Sequence, residues 1–180
     1  MLTRLFGVAR ESAWDSPDVI RAELFSVERL EQHAESLATA QAVTRRPPAV
    51  QPLRARLRDN GVVLLAAHRA IVAALRQGRA ITPAAEWLAD NYHVIEAQIH
   101  QVGDDLPEGY YRELPKLAGG PLAGYPRVFG IAWAFVAHTD SRFDADALVR
   151  FVRAYQRVQP LTIGVLWAVA ITLRIVLVEN

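Results

Sequence analysis

The sequence predicts an all-α fold, an irregular bundle of about six or seven helices with one long loop rich in Pro, Gly and Tyr. Three observations carry this reading. Apolar residues recur at helical spacing through most of the chain, no stretch alternates convincingly with a period of two, and Ser, Thr or Asp cap signals precede several of the periodic runs. The 180 residues, 52% of them hydrophobic, suit one domain of ordinary size. Residues 1–16 read as a flexible lead-in and 17–180 as a single helical domain.

The elements follow in order. Ser16-Pro17 is a first start signal, and Ser26 caps a stronger helix on which Val27, Leu30, Ala34, Leu37 and Ala38 share a face. Prolines 47, 48 and 52 break the chain. From Leu53 to Gln77 a stripe of Leu57, Leu64, Ile71 and Leu75 runs in line with Gly61 and His68, and Gly78 stops it. Thr82-Pro83 opens a helix to Val102, with Leu88, Tyr92, Ile95 and Ile99 on one face and Gly103 at its end. Asp104 to Arg127, with four prolines, four glycines and three tyrosines, is the long loop, with room for one helical turn near Gly109 to Leu114. Helical spacing returns from Val128 to about His138. Asp144 then caps a helix with Leu148, Phe151, Val152, Tyr155 and Val158 in a stripe. After Pro160, Thr162 starts a helix apolar almost all round, which belongs at the centre of the core.

Composition excludes several classes. There is no cysteine, hence no disulfide framework, thiolate metal site or cysteine nucleophile. The 20 basic and 19 acidic residues give a net charge of +1 and no general pull toward nucleic acid. Lys116 is the single lysine, a bias that a GC-rich genome explains. The first residues lack an apolar run of signal-peptide length. Leu161 to Val178 approaches the length of a membrane span, but Arg174 inside it favours a helix buried in protein.

Candidate chemistry is sparse. Glu86, Asp90, His93, Glu96 and His100 put carboxylates and imidazoles along one helix, a pattern that reads as a solvated face rather than a metal cluster. His68, on an apolar stripe, reads as a neutral core histidine with a hydrogen-bond partner. Asp144-Ala145-Asp146 reads as a helix cap rather than a nucleotide-sugar metal site. His138 to Arg142 reads as a turn between helices, and the arginines at 45, 46, 54, 56 and 58 read as a solvated linker and helix surface. No phosphate-binding glycine loop or nucleophile elbow occurs. No catalytic, cofactor-binding or metal-ligating residue is assigned. The residues suited to an interaction lie in and beyond the loop: Tyr110, Tyr111, Arg112, Tyr125, Arg127, Asp140 and Arg142 can stack on rings and clamp polar groups.

Four stretches resemble the N-terminal region of bacterial cyclic β-1,2-glucan synthases: Ile20 to Ala38, Ile81 to Ile99, Asp104 to Asp144 and Phe151 to Asn180. The run from Asp104 to Asp144, DDLPEGYYRELPKLAGGPLAGYPRVFGIAWAFVAHTDSRFD, is the most specific, because helix physics does not force its Pro, Gly and Tyr placements. The resemblance implies a front portion, or a truncated relative, of a large inner-membrane protein. Such a protein builds a β-1,2-linked glucan from UDP-glucose with a divalent metal. Its transferase and phosphorylase-like motifs lie outside the matched part, so no catalytic residue carries over and no cofactor is expected in this chain. Where the family pattern reads Thr-Ile-Gly-Glu-Leu-Trp, Val165 follows Thr162-Ile163-Gly164 here, which implies a relaxed or nonfunctional copy.

The resemblance thus implies a non-catalytic helical module at the cytoplasmic face of the inner membrane. It would pack against the remaining domains of a synthase, against a second copy, or near the membrane surface. The competing expectation is a stand-alone helical protein that binds glucan or an anion through the 104–127 loop.

Overall fold

The computed structural model describes residues 23–180. The lead-in over 1–16 and the Ser16-Pro17 start signal lie outside the described residues. Seven helices and one two-stranded ribbon make up the described chain: α1 (Val27–Ala40), β1 (Val43–Thr44), α2 (Leu53–Arg76), α3 (Pro83–Asp105), α4 (Glu108–Glu113), β2 (Lys116–Leu117), α5 (Arg127–Thr139), α6 (Ala145–Val158) and α7 (Ile163–Glu179). The class is predominantly all-α.

Four of the helices begin where side-chain caps predict. The hydroxyls of Ser26, Thr82 and Thr162 accept the N–H groups of Arg29, Ala85 and Val165. The Asp144 carboxylate accepts those of Asp146 and Ala147 at 2.9 and 3.1 Å, so the Asp-x-Asp sequence is a cap. Each satisfies donors that the first helical turn leaves unpaired.

The core forms where α1 packs on α6 and α5 packs on α7. Phe129, Phe135, Phe151 and Tyr155 are its largest fully buried side chains. Along the α1–α6 seam, Arg150 pairs with Glu31 at 2.5 Å and Arg157 with Glu35 at 2.8 Å. These exposed pairs align the two helices and contribute little stability each. α7 buries Val165, Ala168, Thr172, Ile175 and Val176. It is not enclosed all round, because Ile163 and Trp167, 73% and 74% exposed, lie on an outward stripe with Leu177. That stripe's charged member, Arg174, bonds Asp105 of α3 at 2.6 Å. No helix among the described residues is long and apolar enough to cross a membrane.

Three expectations are corrected. The α3 helix continues past Gly103 to Asp105, since one glycine costs only about 1 kcal/mol in a helix. The stretch 104–127 holds the end of α3, all of α4 and strand β2, so its irregular part is shorter than composition suggests. β2 pairs antiparallel with β1, Val43 opposite Leu117. Two-residue strands carry no readable period, which is why the pairing left no sequence signal.

Candidate functional site

α2 and α3 form an antiparallel arm that is only half embedded. α2 contributes Leu53 and Leu57 to the core and nothing beyond them, and α3 contributes Tyr92 and Val102. The predicted stripe of Leu64, Ile71 and Leu75 is therefore only partly covered, and Leu75 is 45% exposed. Gly61 lets the helices approach: a Cβ there would lie 3.3 Å from Ile99 Cδ1. Farther out, the His68 ring stacks on Tyr92 with centroids 4.5 Å apart. His68 is half-buried in this aromatic contact, not in a core hydrogen bond as its stripe suggests.

Where the arm meets α4 it leaves a groove of about 880 Å³. Leu57, Gly61, Leu65 and Ile99 give it an apolar floor, and Tyr92 and Tyr111 supply rings. Arg54 and Arg58 of α2, Glu96, His100 and Asp104 of α3, and Glu108 and Arg112 of α4 supply the polar rim. Burial pushes the Tyr92 phenol above its ordinary pKa, with Glu96 adding to the effect. Tyr111 is raised chiefly by burial as well. Both rings therefore stay neutral donors near pH 7. Lys116 stands behind Tyr111, its Nζ 4.0 Å from the ring centre, and donates to the Tyr111 carbonyl. Burial lowers the Lys116 pKa to about 8.

The seven residues singled out from sequence separate in space. Tyr111 and Arg112 line the groove. Tyr110 does not: its hydroxyl donates to the Gly164 carbonyl and ties α4 to the start of α7. Tyr125 is buried, and its hydroxyl accepts from Arg56 Nη1 at 3.0 Å. Arg127, only 6% exposed, opens α5, and its N–H donates to the Pro115 carbonyl at 2.7 Å. Asp140 and Arg142 sit past the other end of this 13-residue helix, about 20 Å away at the α-helical rise. There Asp140, with φ 50°, makes the turn after α5.

Other candidates resolve locally. Glu86, Asp90, His93, Glu96 and His100 are all exposed, and no cluster of three such groups among the described residues is arranged to hold a metal. Arg56 leaves the surface set of arginines and enters a partly buried pair with Glu179 of α7. Sequence reasoning missed Tyr92, Arg54 and Arg58 as groove residues. Their helices read as separate core and solvent faces, and the alignment of Gly61 with Tyr92 and Ile99 across two helices is a tertiary fact.

Fold and groove define an all-α module with a two-helix arm in which the α2 segment from Gly61 to Leu75 holds no buried residue. No known family profile matches it. In sequence it is similar to a piece of a far larger protein. It is 40% identical over 168 residues to the cyclic beta-(1,2)-glucan synthase NdvB of Rhizobium meliloti (strain 1021). The match covers 92% of this chain and 6% of that protein. The resemblance drawn from the four sequence stretches stands, and it concerns a small fragment of such a synthase.

Val165 is 3% exposed and part of the core. An apolar residue is what this site in the fold accommodates.

Proposed function

We propose that this chain acts as a non-catalytic helical module of a cyclic β-1,2-glucan synthase-like protein, at the cytoplasmic face of the inner membrane. The parent activity would be glucosyl transfer from UDP-glucose into a β-1,2-linked glucan, carried out by polypeptide outside this chain. The observation that carries the reading is the match to NdvB along nearly the whole chain but over a small share of that protein.

The arm gives the module a docking face. Between Gly61 and Leu75 the only polar side chains are His68 and Arg69, yet no residue of that segment is buried. Val62 and Val63 are 64% and 67% exposed. A helix this apolar normally buries a face. The occupant in this reading is polypeptide of the remaining synthase, since a relative many times longer supplies abundant chain to cover it.

The test is complementation. NdvB lacking its matching segment is expected to lose glucan synthesis and to regain it when this chain is supplied in trans. The chain alone, with UDP-glucose and magnesium, is expected to form no glucan. Glucan made by the chain alone, or full activity of the deleted synthase, would refute the proposal.

A further inference from the structure

We infer that the groove between α2, α3 and α4 is a binding site for a neutral, polyhydroxylated ligand, an oligosaccharide strand. The inference stands on the groove's own chemistry; the groove shares Gly61, Val62 and Leu65 with the docking face, so its test uses the chain alone. A volume of about 880 Å³ lies toward the upper end of the range for small-molecule sites, 300 to about 1,000 Å³.

Charge balance selects the ligand class. Three guanidinium groups, Arg54, Arg58 and Arg112, share the rim with three carboxylates, Glu96, Asp104 and Glu108, and with His100. A phosphorylated ligand would meet the carboxylates, and a polyamine or metal ion would meet the guanidinium groups. A ligand of many hydroxyls uses both, because each hydroxyl donates to a carboxylate and accepts from an arginine.

These groups have capacity to spare. The side chains of Arg54, Arg112, Glu96, Asp104 and Glu108 make no hydrogen bond or ion pair among the described residues. Arg58 approaches only its neighbour Asp59, at 3.6 Å in an exposed pair. The apolar floor and the half-buried Tyr111 ring match the other half of a sugar, its C–H faces, and the buried Tyr92 closes the floor. His68 stacks on Tyr92 and Lys116 lies over one face of Tyr111, so neither ring must be ordered on binding.

The test is titration of the purified chain with linear β-1,2-linked gluco-oligosaccharide, followed by calorimetry and amide NMR. Inorganic phosphate and spermidine serve as charged probes. Saturable oligosaccharide binding is expected, with shifts confined to α2, α3 and α4. The surface substitutions Arg58→Ala and Arg112→Ala should each weaken it about tenfold, a change of ~1.4 kcal/mol, with the fold unchanged by circular dichroism. Three results would overturn the inference: no binding at millimolar oligosaccharide, affinity unchanged in both variants, or tighter binding of phosphate or spermidine than of the sugar. None of these bears on complementation, so the two proposals fail separately.

Discussion

Arg56 on α2 holds the carboxylate of Glu179, the last residue of α7, Nε to Oε1 at 2.9 Å and Nη2 to Oε2 at 3.2 Å. A third bond joins Arg56 Nη1 to the Tyr125 hydroxyl. Burial works against the charge on Arg56, but the bonds and charge of Glu179 outweigh it and raise the pKa. The side chains are 17% and 7% exposed, so this pair is far more sheltered than those between α1 and α6. Removing one partner strands a desolvated charge. Glu179→Gln should therefore cost about 2–3 kcal/mol in urea denaturation. The double substitution Arg56→Met, Glu179→Leu should recover part of that loss.

Gly124 permits the close approach of two chain segments. Its φ is +89°, and a Cβ would fall 2.6 Å from the Pro48 carbonyl oxygen and 2.8 Å from Val50 Cγ1. Gly124→Ala should destabilise the fold by about 2–4 kcal/mol, combining left-handed strain with overpacking. Gly120 shares a positive φ, +77°, but has nothing within 4 Å. Gly120→Ala should cost only the backbone strain, about 1–2 kcal/mol. Thermal unfolding of the two variants side by side checks the difference.

Acid should weaken the join between α1 and α5. His33 and His138 meet edge to face at 4.6 Å, and Phe25 stacks on His138. His138 Nδ1 lies 2.7 Å from the Glu23 carbonyl oxygen. Burial, then the charge of His138, holds the His33 pKa below its ordinary 6.5. The unfolded chain then binds this proton more readily than the folded one. Stability is fully present above pH 6.5 and falls as pH drops through that value toward the lowered folded pKa. Denaturation midpoints at pH 7.5 and 5 should differ, and His33→Phe should narrow the difference.

The single lysine offers a direct read-out of burial behind the groove. With its pKa lowered to about 8, Lys116 should reach half of its maximal acylation rate near pH 8. A free lysine does so nearer 10.4. The unfolded chain keeps the higher value, so this group makes stability rise with pH between about 8 and 10.5. Mass-spectrometric mapping of acylation against pH, native and in urea, measures both.

Much of this fold was legible because local signals agree. The caps at Ser26, Thr82, Asp144 and Thr162 sit where side-chain chemistry demands them, and Pro160 ends α6 cleanly before α7. Burial was less legible. An apolar stripe such as Leu64, Ile71 and Leu75 states that a helix can be covered, not that the chain covers it. The groove was half visible, through Tyr111 and Arg112 in a stretch whose composition helix packing does not require. Its other half, Arg54, Arg58 and Tyr92, depends on how two helices cross at Gly61, which no one-dimensional pattern records.

Hydrogen exchange on α2 tests the module reading most directly. Purified chain would be mixed with NdvB lacking its matching segment, and amide exchange followed across Gly61 to Leu75. The account predicts slower exchange in that segment on mixing, and loss of the effect when Val63 and Ala70 are both changed to Glu. Unchanged exchange along α2, under conditions where the mixture makes glucan, would contradict it.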